Sequence, residues 1–348
     1  MTEARLRELL AALPRVRIAV VGDFFLDRYL VIDPRLTEVS LETGLDAYQV
    51  VGKRCSPGAA GTVTSNLHAL GVGTLYAVGF TGDDGEGYEL RAGLRATGVT
   101  TDHLVYAPDR FTPTYTKPMM LQPDGREVES NRQDIKNRAP LPPALEEEII
   151  RRLRDVTSQV DGVIVADQVQ ERNCGAITDA VRREVARLAE QHPETVFFAD
   201  SRVRIGEFRS VIVKPNRQEA VRAVDPGWSG EVPLARARDA GRQLARATGR
   251  PVFLTLSEDG LLIVTQDGEE HVPGVPVTGE VDPVGAGDSC TAGIVSALCA
   301  GATLPEAGEL GNLVASITVR KLGTTGTASP EEVLAAWREA RGSTPGQD

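Results

Sequence analysis

The residues best suited to chemistry lie late in the chain, between residues 282 and 288. Gly285, Ala286 and Gly287 leave the backbone there almost free of side-chain bulk, and the apolar pattern after them predicts a helix that begins near Asp288. A helix N-terminus presents unbonded N–H groups and the positive end of the helix dipole, so it can hold an anion. We expect Asp288 to stay ionised among these donors and to lie beside a bound phosphate.

This arrangement fits phosphoryl transfer to a hydroxyl group. The N–H groups of Ala286, Gly287 and Asp288 can neutralise charge on the transferring group, an effect of about 10²–10³ in rate for each donor. The Asp288 carboxylate can accept the proton of the attacking hydroxyl, and general bases contribute about 10²–10⁴. An Asp that only caps a helix after a glycine turn is a common structural alternative, so the segment needs support from other motifs.

Four earlier segments contain residue types that fit the same chemistry. Residues 20–29 follow an apolar run and contain two carboxylates, and residues 57–61 are small. Residues 214–219 contain an Asn-x-x-Glu pattern, and residues 255–260 end in glycine. In this order, and together with the segment around Asp288, they resemble the ribokinase-like (PfkB) carbohydrate kinases over about residues 15–340. The resemblance implies an ATP-dependent sugar kinase with Asp288 as its base.

A sugar site is expected at the carboxyl ends of the strands, where open α/β sheets bind ligands. Asp27, with Asp23 as its helper, would accept hydrogen bonds from sugar hydroxyls, although either carboxylate could instead cap the turn or pair with Arg28. The other residues that the resemblance assigns to the acceptor are Gly58, Ala59, Asn66, Lys117 and Arg132.

The resemblance also implies a site for ATP and Mg²⁺. Asn216 and Glu219 would organise Mg²⁺ largely through water, because this ion keeps several of its waters in proteins. The residues expected along the phosphates, ribose and adenine are Thr255, Ser257, Gly260 and Asn312. Asp282 and the loop 321–326 resemble the monovalent-cation site of many relatives, so Asp282 is a candidate K⁺ ligand. Ordinary helix or turn positions are the alternative for these residues.

Within the family, residues 22–29 and 321–324 look most like the kinases of heptose 7-phosphate. The basic residues that could bind the phosphate of such an acceptor are Arg28, Lys117, Arg132 and Arg202. Thr62 stands where those kinases usually carry Asn, residues 200–202 replace an Asp-Pro-Lys, and the His-x-Gly-His of an appended nucleotidyltransferase domain is not found. Kinases of ribose, fructose or a nucleoside, and a non-catalytic sugar sensor, therefore remain alternatives. A nicotinamide dehydrogenase would require a glycine fingerprint that the chain lacks.

These residues must be positioned by strands and helices, which the sequence indicates as short apolar runs that alternate with helical patterns. Runs of this kind suit strands buried on both faces, and the alternation predicts a doubly wound, mostly parallel α/β sheet with helices on both faces. The predicted strands are 18–21, 74–78, 163–166, 196–199, 211–213 and 252–256. The clearest predicted helices are 62–70, 87–97, 145–156, 177–191 and 234–248, with a short amphipathic helix within residues 1–14.

Two stretches, residues 28–54 and 111–134, show alternating strand patterns without long helices. We expect them to pair as a small β-sheet that projects from the core as a lid over the acceptor, because loops of this length are uncommon. Relatives often form dimers through such a lid, so a homodimer is expected. Residues 1–340 would form one kinase domain, and residues 341–348 a disordered tail.

The composition limits the partners of the chain. Its 49 Asp and Glu against 38 Lys and Arg give a formal charge of −11, which disfavours nucleic acid and anionic membranes. The four cysteines and four histidines are scattered, without the spacing of a metal site or a disulfide framework. No apolar run approaches the ~20 residues of a membrane span, and the N-terminus does not resemble a signal peptide, so we expect a cytoplasmic protein.

Overall fold

Two β-sheets, one large and one small, organise the chain. The computed structural model describes residues 1–323 and 325–342. The strands are β1 (Arg17–Gly22), β2 (Phe24–Ile32), β3 (Glu38–Val39), β4 (Asp46–Ala47), β5 (Val50–Ala59), β6 (Thr74–Gly82), β7 (Val99–Thr100), β8 (Leu104–Ala107), β9 (Thr114–Leu121), β10 (Glu127–Glu129), β11 (Gln133–Ile135), β12 (Gly162–Asp167), β13 (Val196–Ser201), β14 (Ile212–Val213), β15 (Val252–Thr255), β16 (Leu261–Val264) and β17 (Glu269–Val272).

The helices alternate with the strands of the large sheet. They are α1 (Glu3–Ala12), α2 (Ala60–Ala69), α3 (Gly85–Ala96), α4 (Pro143–Thr157), α5 (Asp179–Gln191), α6 (Arg217–Val224), α7 (Leu234–Thr248), α8 (Ala286–Cys299), α9 (Leu304–Thr318) and α10 (Pro330–Gly342). Among the described residues, no helix is both long and apolar enough to cross a membrane. The predicted tail lies outside the described residues from position 343 onward, and residues 341–342 complete α10.

The large sheet has the order β17-β16-β15-β14-β13-β12-β1-β6-β7, with β8 also paired to β6. The strands from β15 through β7 and β8 are parallel to their neighbours, whereas β15, β16 and β17 pair in antiparallel fashion at one edge. The mostly parallel sheet predicted from the sequence is therefore confirmed. The antiparallel edge hairpin β16–β17 was not predicted.

The core has one apolar layer on each face of this sheet. Ile18 and Val20 of β1 contribute to one layer, and the alternate residues Ala19 and Val21 contribute to the other. All four are fully buried, which explains why β1 is a continuous apolar run rather than an alternating one. Residues of α1, α2, α3, α8, α9 and α10 cover the first face, and residues of α4, α5, α6 and α7 cover the second.

The small sheet, called the lid below, consists of β10, β9, β2 and β5, with β11 also paired to β9. The pairs of β2 with β5 and of β9 with β10 are antiparallel, whereas β2 and β9 are parallel. The two irregular stretches thus pair as predicted. The lid is longer than expected, because β2 starts at Phe24, directly after Asp23, and β5 extends to Ala59.

Candidate active site

The turn before α8 has the geometry that its glycines require. Gly285 has φ +80°, and a Cβ at this position would lie 2.4 Å from Cγ2 of Thr325. The N–H of Ala286 donates to the Pro283 carbonyl at 3.1 Å, so Ala286 is not the free anion donor that the sequence suggested. Gly287 and Asp288 occupy the next two positions of the helix, whose N–H groups have no helical carbonyl to bond. The candidate anion donors of this turn are therefore the backbone N–H groups of Gly287 and Asp288.

The pKa of the Asp288 carboxyl group is higher than that of the ionised carboxylate expected from the sequence. Burial and the nearby Asp200 carboxylate raise the pKa of Asp288 to about 7, against the opposing effects of Lys214 and Arg202. The helix start therefore does not keep this group fully ionised at neutral pH, contrary to what the sequence suggested, because desolvation outweighs the favourable charges. A carboxyl group that titrates near neutral pH is suited to proton transfer.

Asp200 and Lys214 form an ion pair at the carboxyl edge of the sheet. The Lys214 ammonium lies 2.8 Å from Asp200 Oδ2, and the Thr291 hydroxyl donates to the same oxygen at 3.2 Å. Burial alone would lower the pKa of Lys214, but the attraction of Asp200 outweighs it and the pKa is raised. Neither residue of this pair was predicted from the sequence to be functional. Its signal was present, since Asp200 is in the last part of β13 and Lys214 directly follows the adjacent β14.

Two cavities meet at Asp288. The larger is lined by residues of the turn before α8 and of the strand ends β13 to β15, and is called the nucleotide cavity below. The smaller lies between this turn and the lid and is called the acceptor cavity. The residues that line both cavities are Gln168, Arg202, Gly285 and Asp288.

Every residue that the sequence predicted to contact the nucleotide or its Mg²⁺ lines the nucleotide cavity. These residues are Asn216, Glu219, Thr255, Ser257, Gly260 and Asn312. Asn216 and Glu219 also form a capping box at the start of α6, in which each side chain accepts the other's backbone N–H at 2.8 Å. The amide of Asn312 donates to the carbonyls of Val272 and Pro273, which fixes the end of β17 against α9.

The loop after β15 depends on an unusual backbone. Gly260 has φ +88°, and a Cβ there would lie 2.3 Å from both Gly274 N and Val272 O. Ser257 has φ +58°, a conformation that is uncommon for a residue with a side chain. The shape of this side of the nucleotide cavity therefore requires glycine at position 260.

On the acceptor side, Asp27 is buried among cations. Burial raises its pKa, although Lys117 and Arg132 oppose this effect. Asp27, Ala59, Lys117 and Arg132 line the acceptor cavity. Gly58 does not line this cavity, but a Cβ there would lie 2.8 Å from a carboxylate oxygen of Asp27. Glycine at this position therefore leaves room for the Asp27 carboxylate.

Three other predictions for the acceptor are corrected. Asp23 is buried, and its carboxylate accepts three backbone N–H groups of the loop 168–176, from residues 168, 169 and 176, at 2.7–2.9 Å. It is therefore a clamp for this loop and does not line either cavity. Asn66 is fully buried within α2, where its amide donates to Thr62 O at 3.0 Å. Arg28 forms an ion pair with Glu86 and also lies outside both cavities.

Asp282 lies in the approach to the turn, beside the end of α9. Its carboxylate accepts the N–H of Val284 at 3.0 Å, and its own N–H donates to the Val319 carbonyl at 2.8 Å. The predicted partner loop includes residue 324, which is outside the described residues. The K⁺ site stays a prediction.

Known proteins resemble this chain in sequence and in fold. A family profile described as pfkB family carbohydrate kinase matches residues 29–332. A protein named bifunctional protein HldE from Trichlorobacter lovleyi is 30% identical over 92% of the chain, and one from Paramagnetospirillum magneticum is 28% identical over 97%. The chain spans 62% and 67% of the length of these two relatives.

Two solved structures have the same fold. Arabidopsis thaliana ribokinase complexed with ribose and ATP has a TM-score of 0.67 at 21% identity, over 92% of this chain and 98% of that one. Escherichia coli phosphofructokinase-2 in complex with potassium has a TM-score of 0.70 at 17% identity, over 94% and 99% of the two chains.

Proposed function

The chain belongs to the pfkB family of carbohydrate kinases, and we propose that it transfers the γ-phosphate of ATP to a hydroxyl group of a sugar or sugar phosphate, with Asp288 as the general base. The observation that carries this proposal is the position of Asp288 on the boundary of two cavities, one toward the predicted nucleotide residues and one beneath the lid. A base at this boundary can contact the acceptor hydroxyl while the phosphate lies on its other side.

Each part of the site has a task in this reaction. Asp27 and the lid orient the acceptor, and Asp288 accepts the proton of the attacking hydroxyl as the new O–P bond forms and the bond from the γ-phosphorus to the oxygen of the leaving ADP breaks. The N–H groups of Gly287 and Asp288 and the ammonium of Lys214 favour the negative charge of the phosphoryl group. A Cβ on Gly287 would lie 3.6 Å from Lys214 Nζ, so the ammonium group lies close to this turn. The lid excludes water, which would otherwise compete as acceptor.

The residues around Asn216 and Glu219 fit a magnesium ion held mainly through water. Each side chain uses one oxygen in the capping box, and both residues line the nucleotide cavity. A bound Mg²⁺ would offset the charge of the nucleotide phosphates. The monovalent cation near Asp282 is kept as a further prediction, as is a location in the cytoplasm.

The lead acceptor is heptose 7-phosphate. The support for it is the resemblance of residues 22–29 and 321–324 to kinases of that sugar, together with the moderate identity to proteins that share the name HldE. Ribose, fructose and nucleosides are the alternatives.

A screen of coupled ADP release over a panel of sugars, sugar phosphates and nucleosides tests the proposed function. We expect ADP release to require both Mg²⁺ and a particular acceptor, with heptose 7-phosphate giving the highest kcat/KM. If no acceptor stimulates ADP release but calorimetry detects a bound sugar, the sensor alternative replaces the kinase.

We also propose a homodimer through the lid. The segment around β3 and β4 exposes the large apolar residues Leu36, Val39, Leu41, Leu45, Tyr48, Val50 and Val51. Exposed apolar residues that lie together are typical of protein interfaces. Sedimentation should give a dimer for the wild type and a monomer for Leu41→Glu with Leu45→Glu. Leu234→Glu, at an exposed apolar position of α7, is the control. A monomeric wild type rules out the dimer.

A further inference from the structure

Arg202 lies where the two cavities meet. It directly follows β13, and its backbone N–H donates at 3.1 Å to the carbonyl of Asp167, the last residue of β12. Of the described residues that line both the nucleotide cavity and the acceptor cavity, it is the single cation. We propose that Arg202 is a catalytic residue whose guanidinium group binds the phosphoryl group as it passes from ATP to the acceptor.

This role of Arg202 rests on the proposed function and adds one residue to its mechanism. If the γ-phosphate reaches Asp288 from the nucleotide cavity and the acceptor hydroxyl reaches it from the acceptor cavity, the phosphorus crosses the boundary between the two. A side chain that lines both cavities can contact the phosphoryl oxygens throughout this passage. The role differs from the one expected from the sequence, in which Arg202 binds a phosphate that the acceptor already carries.

The guanidinium group of Arg202 is available to a ligand. No described residue forms an ion pair with this side chain or accepts a hydrogen bond from it. The other three cations that line the two cavities already have partners, namely Lys214 with Asp200, Arg132 with Asp134, and Lys117 with the Tyr29 hydroxyl. Arg202 can therefore bind an anion without first losing a partner, and its planar set of donors suits two oxygens of one phosphoryl group.

The charge of Arg202 acts on groups in both cavities. Burial raises the pKa of Glu219, which lines the nucleotide cavity, and of Tyr115, which lines the acceptor cavity, and Arg202 opposes the rise in both. Arg202 also opposes the rise that burial and Asp200 cause in the pKa of Asp288. The guanidinium group is thus close enough to influence both the phosphate donor and the acceptor.

The task of this cation follows from the charges that move during the transfer. The acceptor oxygen bonds to the γ-phosphorus, the bond from this phosphorus to the leaving ADP oxygen breaks, and the acceptor proton passes to Asp288. Arg202 exchanges no proton, and its positive charge offsets the negative charge of the phosphoryl oxygens in the transition state. A preorganised group of this kind contributes about 10²–10³ in rate.

Arg202→Gln should therefore lower kcat by about 10²–10³, with a smaller change in the KM values for ATP and for the acceptor. The measurement is ADP release with the acceptor found in the screen, on the plateau of the pH–rate profile above the acidic limb. Since Arg202 lowers the pKa of Asp288, its removal should also move that limb to higher pH. On the plateau the base is ionised in both proteins. An unchanged kcat there would show that Arg202 only tunes the base and would overturn the inference.

Two further variants test the contact itself. Arg202→Lys keeps the charge but not the paired donors, so it should recover about tenfold of the lost kcat, the usual effect of a hydrogen bond to a charged group. Arg183→Gln is the control, at an exposed arginine of α5 that lines neither cavity, and should leave kcat unchanged. A loss in Arg202→Gln that is confined to phosphorylated acceptors would assign Arg202 to the acceptor's own phosphate, against the inference.

A transition-state analogue gives a readout other than turnover. Aluminium fluoride is titrated calorimetrically into protein that holds ADP, Mg²⁺ and the acceptor, where it replaces the transferring phosphoryl group. Arg202→Gln should bind it about 10²-fold more weakly than the wild type, with the affinity for ADP alone unchanged. Equal binding of the analogue counts against the role of Arg202. A wild type that releases ADP with no acceptor refutes the proposed function and this role with it, whereas an active wild type matched by an equally active Arg202→Gln refutes this role alone.

Discussion

The Lys214 ammonium lies 2.8 Å from the Asp200 carboxylate, and both groups line the cavity that Asp288 also lines. Their effects on Asp288 are opposite, since Asp200 raises its pKa and Lys214 lowers it. One buried pair thus influences how readily the base accepts a proton and how strongly the turn before α8 attracts a phosphate. The predictions that follow separate these effects.

Asp200→Asn should shift the acidic limb of the pH–rate profile to lower pH. The substitution removes the negative charge that raises the pKa of Asp288 and leaves the lowering effect of Lys214 unopposed. The expected shift of kcat/KM is about one pH unit or more. The free energy of unfolding should fall by about 3–5 kcal/mol, because Lys214 loses its buried partner. An acidic limb that does not move would show that Asp200 does not tune the base.

Asp288→Asn should nearly abolish turnover while ATP and acceptor still bind. The amide has almost the same shape but cannot accept the hydroxyl proton, so kcat should fall by about 10²–10⁴. ADP release measures the loss, and calorimetric titrations measure the binding. Undiminished turnover in this variant would remove Asp288 from the mechanism.

The same variant should be more stable than the wild type at alkaline pH. The folded-state pKa of Asp288, about 7, lies above its ordinary value of 3.8. The stability that this group contributes is therefore complete below pH 3.8 and is lost as pH rises through 7. Asn does not titrate, so between pH 4 and pH 8 the free energy of unfolding of the wild type should fall by about 4 kcal/mol relative to the variant, at about 1.4 kcal/mol for each pKa unit. Denaturant unfolding at pH 4 and pH 8 checks this, and an equal difference at both values contradicts it.

The sequence predicted the central sheet well because its signal is local. Strands such as β1 and β12 are buried on both faces, so each appears as an unbroken apolar run. The edge hairpin β16–β17 was missed for two different reasons. The first strand, β16, is a buried apolar run that the prediction overlooked, whereas the second, with Glu269, Glu270 and His271 exposed, has no such run.

Site residues could be predicted only where they belong to a short, recognisable segment of sequence. The glycine turn and the Asn-x-x-Glu segment are each a short, continuous stretch of sequence. Residues of both line the nucleotide cavity. The role of Asp23 could not be predicted, because the loop whose N–H groups it binds is more than a hundred residues away along the chain. The pKa of Asp288 likewise depends on Asp200, a tertiary neighbour.

Glu219→Gln should raise the Mg²⁺ concentration required for half-maximal activity by about tenfold, the lower end of the usual effect of residues that act on a metal through its ligands. The new amide oxygen can still accept the N–H of Asn216, so the melting temperature should hardly change. Glu306→Gln, at the same position of the capping box of α9, is the matched control. An unaltered Mg²⁺ dependence would assign Glu219 to helix capping alone.

Gly260→Ala should raise the KM for ATP and lower the free energy of unfolding by about 1–3 kcal/mol, because alanine is strained at φ +88° and its Cβ meets backbone atoms. Gly268→Ala provides the comparison, since a Cβ at Gly268 has no atom within 4 Å. Thermal melts and ATP kinetics on both variants give the answer. Equal effects of the two substitutions would contradict the special role of position 260.

The chain passes through the lid twice. It first enters through the single residue Asp23 between β1 and β2 and leaves at Ala59, the end of β5, and it later returns to form β9, β10 and β11. The Asp23 carbonyl accepts the N–H of Ala60 at 3.1 Å, so the outgoing and returning crossings are fastened to each other. A rigid rotation of the lid would pivot at this hydrogen bond and at the adjacent start of β9, where the N–H of Leu26 donates to the Pro113 carbonyl at 2.9 Å. Asp27 lies close to the pivot and would move little, whereas the turn between β9 and β10 would move furthest. A ligand could therefore enter and leave at the outer edge of the lid without displacing the groups nearest the reaction.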